Sequence, residues 1–126
     1  MNLSKLLLIH AFISLAAGIV LIVAPELIPS TVNIEMQAQH YLLSYFLGSA
    51  EISLAVLSFY GRKLPQFQSL RLIVNTLVVF HLLTAGVEIY DFLKGGSEKL
   101  WINVCLRLII SFLLLFYLRR QKTRSA

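Results

Sequence analysis

Glu51, His81, Glu88 and Arg107 stand inside long apolar runs, where an ionisable side chain costs about 2.5 to 3.5 kcal/mol on membrane-insertion scales. A carboxylate and an imidazole can hold and exchange a proton. A guanidinium, permanently charged and planar, can hold a carboxylate or an anionic ligand. Such groups are tolerated in an apolar run when they turn away from hydrocarbon towards one another or towards water. At about 100° per helical residue, Ser44, Gly48, Glu51, Ala55 and Ser58 fall on one face of their run. His81, Thr84, Ala85, Glu88 and, more loosely, Asp91 share a second face. Asn103, Arg107 and Ser111 form a third, and His10, Ser14 and Ala17 a fourth. Each run thus carries one stripe of polar and small residues, which predicts a polar lumen between packed helices.

Depth selects partners within that lumen. Glu51 and His81 each lie near the middle of their runs, and at about 1.5 Å per residue Arg107 sits about 3 Å to the outer side of its own centre. This predicts a Glu51–Arg107 ion pair, with Glu88, about 10 Å outward of His81, as the alternative partner of the guanidinium. His10 is placed about 8 to 9 Å on the inner side by the same count, so the groups read as a discontinuous ladder. The predicted ligand- or proton-binding residues are Glu51, His81, Glu88, Arg107, His10, Thr84 and Asn103. The competing reading is structural: Glu51, Arg107 and His81 neutralise and hydrogen-bond one another and fix helix register without a ligand. Asn75 and Thr76 project from other faces and are expected in helix contacts.

Other chemistries lack their spacing. Bis-histidine haem ligation needs two histidines at one depth, whereas His10 and His81 are predicted to be offset by most of two turns. No His, Asp or Glu set has a compact metal-binding spacing. Ser44, Ser58, Ser111 and Cys105 have no motif that would make them nucleophiles. Gly95-Gly96 is a turn and not a phosphate cradle. A single cysteine makes no intramolecular disulfide. Neither catalysis nor a cofactor is expected.

The elements that must position these residues follow from composition. Of 126 residues, 58% are hydrophobic and 13% charged, which excludes a disordered chain and disfavours a water-soluble domain. Apolar runs cover residues 6–24, 41–60, 70–92 and 100–118, each long enough for a hydrocarbon core of about 30 Å. The first imitates a signal peptide, with Lys5 before an apolar stretch, but its length reads as a transmembrane helix. Pro25, Gly61 with Pro65, and Gly95-Gly96 punctuate the runs. Asn33 is a predicted N-cap for an early start of the second helix, and the polar tail 119–126 is expected to close the fourth. No run alternates with a period of two, so the fold class is all-α: one polytopic membrane domain, a four-helix transmembrane bundle.

The formal charge of +5 is not a nucleic-acid signal, because its location explains it. Lys5, Arg62, Lys63, Arg71, Arg119, Arg120, Lys122 and Arg124 fall on one side, and Lys94 and Lys99 on the other. Glu26, Glu35, Asp91 and Glu98 keep to the less basic side. The positive-inside rule then predicts both termini in the cytoplasm; a bacterial inner membrane is the expected location and lipid the surrounding partner.

Ala17-Gly18-Ile19-Val20-Leu21-Ile22-Val23-Ala24-Pro25-Glu26, followed by Tyr45-Phe46-Leu47-Gly48-Ser49-Ala50-Glu51, resembles small bacterial four-helix integral membrane proteins of unknown function. The resemblance covers much of the first two helices and implies the fold but no activity. Small multidrug transporters are similar in size and in using a membrane glutamate, but theirs lies in the first helix, whereas Glu51 lies in the second. Two functions are expected from the residues. One is binding or transport of a small polar or amphipathic molecule, linked to protons, with a homo-oligomer as one arrangement. The other is a non-catalytic accessory or assembly subunit of a larger membrane complex.

Overall fold

The computed structural model describes the backbone of residues 2–125 and the side chains of residues 2–121. Lys122 and Arg124, counted above among the basic residues, have side chains outside the described residues. The chain forms α1 (Leu3–Val23), a short α2 (Leu27–Thr31), a 3-10 turn (Ala38–His40), α3 (Tyr41–Gly61), α4 (Phe67–Leu93) and α5 (Leu100–Ser125). Among the described residues there is no strand. The four long helices are each long and apolar enough to cross a membrane.

Local chemistry explains most boundaries. The Asn2 side chain accepts from Lys5 N–H at 2.9 Å and caps α1, satisfying a first-turn donor. Pro25, which has no N–H to continue the ladder, follows its end. At the end of α4, Gly96 N–H donates to Asp91 C=O and Gly95 N–H to Phe92 C=O, both at 3.0 Å, with Gly95 at φ 96°. That is a Schellman closure, and its left-handed position suits glycine.

Asn33 departs from its expected role. It takes φ 60°, its N–H donates to Ser30 C=O, and Ile34 N–H donates to Pro29 C=O. It therefore ends α2 by the same device that ends α4, and α3 begins only after the turn at Ala38–His40. Asparagine is the one non-glycine residue common at such a C-terminal position. The fourth helix also runs past its expected close, because its arginines and lysines are good helix formers and no glycine or proline interrupts them.

The helices pair as α1 with α3 and α4 with α5, and the pairs meet more sparingly through α3 with α4 and α1 with α5. Gly18 and Gly48 set the first pairing. A Cβ on Gly18 would lie 2.7 Å from the Gly48 carbonyl oxygen, and one on Gly48 would lie 2.8 Å from the Gly18 oxygen. Two backbones meet where neither residue has a side chain, the close approach that small residues permit. The apolar core occupies one end: Leu3, Leu6 and Leu7 of α1 pack with Leu70, Val74 and Leu77 of α4 and with Leu114 and Leu118 of α5. Elsewhere the usual polarity is reversed. His10, Ser14, Ser44, Glu51, Ser58, His81 and Ser111 are buried, while Phe12, Leu43, Leu72, Leu83 and Phe112 are strongly exposed.

Candidate functional site

The four stripes read from helical spacing turn inward, except that Asp91, at the loose end of the α4 stripe, is exposed. The buried residues of α3 are Ser44, Gly48, Glu51, Ala55, Ser58 and Gly61. On α1, His10, Ser14 and Gly18 are buried, and on α4 His81 and Ala85. Above the leucine core these faces enclose a polar network that draws on four helices.

His10 and His81 touch. Their Nε2 atoms are 2.9 Å apart and the rings meet edge to face at 83°. The predicted offset of most of two turns is thus overturned. Counting from span centres treats all helices as aligned, whereas α1 begins at Leu3, α4 begins at Phe67, and two imidazoles reaching towards each other close the remaining height. The separation is that of a hydrogen bond; a tetrahedral zinc ion bound by both rings at about 2.0 to 2.1 Å would hold the nitrogens at about 3.3 Å. His10 Nδ1 in turn meets Ser58 Oγ at 2.9 Å.

Arg107 turns to α4 and not to α3. Its Nε donates to Glu88 Oε1 at 3.2 Å, and its Nη1 stands 3.5 Å from His81 Nδ1. The expected Glu51–Arg107 ion pair is not formed; the alternative partner, Glu88, takes the guanidinium. Helix pairing is the reason: α5 lies along α4, which carries Glu88, while Glu51 sits on α3, whose main partner is α1. The Ser14 hydroxyl of α1 is accordingly the polar neighbour of the Glu51 carboxylate.

The contacts join into one directed chain. Arginine has only donors, so the Arg107 cation faces the lone pair of His81 Nδ1. His81 then carries its proton on Nε2 and donates to His10 Nε2. His10 carries its own proton on Nδ1 and donates to Ser58 Oγ. Each ring is left with one donated and one accepted bond, which is what a neutral buried imidazole requires.

An elongated cavity of about 260 Å³ lies beside this chain. His10, Ser14, Glu51, His81, Asn103 and Arg107 form its polar wall, and Leu6, Ile9, Ile13, Leu106, Ile110 and Leu114 much of its apolar one. Five of the seven predicted site residues therefore meet at one place. The other two do not reach it. Thr84 Oγ1 donates to the Phe80 carbonyl at 2.8 Å within its own helix, and Glu88 stands behind Arg107, with its Oε2 buried and unpartnered among the described residues. The cavity follows the seam between α1 and α5, and Glu88 is not among its lining residues. Thr76 Oγ1 donates to the Leu72 carbonyl at 3.0 Å, and Asn75 is exposed, so neither makes the expected contact with another helix.

Ser58 and Ser14 were on the predicted faces but not among the predicted site residues. The available signal was their spacing, seven residues after Glu51 and four after His10. The rim residues Ile9, Ile13 and Leu106 carry no sequence signal, because isoleucine and leucine fill every outward face of the chain. Among the described residues no group of three or more His, Cys, Asp or Glu could hold a metal ion. No family model matches the chain, and no curated protein or solved structure matches it either.

Proposed function

We propose that this is an integral protein of a bacterial inner membrane, a four-helix bundle with both termini in the cytoplasm. In this reading it binds or transports a small polar or amphipathic molecule in the cavity between α1 and α5, with proton movement linked to occupancy. The observation that carries the proposal is the convergence of His10, Glu51, His81, Asn103 and Arg107 on one cavity of about 260 Å³. A few convergent polar groups in an otherwise apolar cleft are the usual make-up of a small-molecule site. Leucine would serve packing alone at lower cost than five polar groups. The outward Phe, Leu and Ile side chains support the membrane as surroundings, since four such surfaces in water would form an apolar patch far beyond the norm. The His81–His10–Ser58 chain supports the proton link: the two imidazoles lie 2.9 Å apart, and either can take up one further proton from outside and release it again.

The test is access. Asn103→Cys, in a Cys105→Ala background and in lipid nanodiscs, should react with a small thiol reagent, and native mass spectrometry with lipid retained should show a bound non-protein mass. An inert thiol and a bare protein mass would refute a ligand cavity.

The accessory-subunit reading is favoured by a different observation. Asn75 lies outward on α4 and its amide has no hydrogen-bond partner among the described residues. In hydrocarbon such an amide is satisfied across a helix–helix contact. Asn75→Cys disulfide trapping in native membranes, giving a homodimer or a larger adduct, separates self-association from assembly with an unlike chain.

A further inference from the structure

The cavity's charges and its mouth together restrict what it can hold. Among the described residues its polar wall and the groups behind it contain two carboxylates, Glu51 and Glu88, and one guanidinium, Arg107. Arg107 is committed to Glu88 at 3.2 Å and to His81 at 3.5 Å. His10 and His81 spend their ring nitrogens on each other, on Ser58 and on Arg107. Glu51 is left facing the cavity, 8% exposed, with Ser14 as its polar neighbour and with Arg107 within electrostatic reach but salt-bridged to Glu88 instead. A carboxylate in that position is one positive charge short of balance.

The mouth is lateral. Ile9, Ile13 and Leu106 line the cavity and are also 48%, 58% and 53% exposed. All three lie within the apolar spans of α1 and α5 and not at helix ends. The seam between these two helices is one of the sparse contacts of the fold. An opening there lies beside the apolar spans, while the lining also runs to Leu47 of α3 and Ile28 of α2 at the opposite end from the leucine core.

We infer, building on the reading of the cavity as a ligand site, that its ligand is a monocationic amphiphile. It enters from the bilayer between α1 and α5, places an ammonium or guanidinium head against Glu51, and lies with its apolar part along Ile9, Ile13 and Leu106. An anionic head is disfavoured because the cation that would receive it is already shared. A fully hydrophilic solute is disfavoured because the rim is aliphatic. Asn103, on the wall and without a hydrogen-bond partner among the described residues, supplies a carbonyl acceptor for a second N–H of the head.

Three probes of one chain length separate the outcomes: decylammonium, decanoate and decanol, each added below its aggregation limit to protein in nanodiscs of zwitterionic lipid. The readout is protection of Ala17→Cys, a lining position with no assigned contact to the head, in the Cys105→Ala background, from a small alkylating reagent. Decylammonium is expected to slow alkylation at least about tenfold, and decanol and decanoate to leave it near the rate without probe. Glu51→Gln should abolish protection, and Glu51→Asp, which keeps the charge and controls for folding, should retain it. Leu106→Trp, a change at the aliphatic rim, should slow the onset of protection. Equal protection by decanol and decylammonium, insensitive to Glu51→Gln, would overturn the cationic head and leave the ligand-site reading intact. Preferential protection by decanoate would overturn it in favour of an anion. A thiol inert with and without every probe would instead sink the ligand site itself.

Discussion

Replacing Gly48 with alanine isolates the contact that brings α1 against α3. The new Cβ would lie 2.8 Å from the Gly18 carbonyl oxygen, 2.9 Å from Ile22 Cγ1 and 3.1 Å from Leu21 Cβ. The first is a backbone atom and cannot rotate aside, so the helices must separate by a few tenths of an ångström. Overpacking of this kind costs about 1 to 3 kcal/mol. Alanine also gains about 1 kcal/mol over glycine as a helix former. Gly86 supplies the internal reference, because a Cβ there meets nothing within 4 Å. Gly86→Ala should keep the propensity gain undiminished, so the two variants should differ by about 1 to 3 kcal/mol, with Gly48→Ala the less stable. The assay is reversible unfolding in mixed micelles, with helicity followed as the denaturing detergent fraction rises. Ser14 lies on the face of α1 that meets α3, so the same separation should raise the alkylation rate of a Ser14→Cys probe. Equal stability of the two alanine variants would refute the close approach of the backbones.

Solid-state nitrogen NMR should find His10 protonated at Nδ1 and His81 at Nε2, the pattern that the Arg107 donors impose; the reverse tautomers would break the directed chain. Acidification that protonates both rings places two N–H groups across 2.9 Å, so the through-bond coupling between the Nε2 atoms should be lost on the acid side and return as pH rises. Arg107→Leu should cost about 3 to 5 kcal/mol by stranding Glu88, and adding Glu88→Gln should recover most of it, which a double-mutant cycle measures. Gly95→Ala forces a side chain onto φ 96° and should cost about 1 to 2 kcal/mol in the same unfolding assay. Gly96→Cys, without Cys105, should be labelled by an impermeant reagent from the periplasmic side only; labelling from the cytoplasm alone would invert the proposed orientation.

The sequence by itself determined the elements and their inward faces. Helical periodicity is local, so the spacing of Ser44, Gly48, Glu51, Ala55 and Ser58 marked the buried face of α3 without knowledge of its neighbours. Apolar run length likewise located the four long helices, and Gly95 located the end of α4 because a left-handed residue is a local demand. Asn33 shows where local chemistry is ambiguous: asparagine suits both ends of a helix, and only the backbone angle shows that it closes α2 instead of opening α3. Which stripes face each other was a tertiary decision. Height along a span does not fix the azimuth or stagger of a neighbouring helix. Arg107 could therefore reach either carboxylate until the pairing of α5 with α4 gave it Glu88 and left Glu51 with Ser14. The same stagger brought His10 to His81, two residues 71 positions apart whose contact no single helix encodes. The lateral cavity is a further product of assembly, since a gap between α1 and α5 is a property of how four surfaces fit and is written in none of them alone.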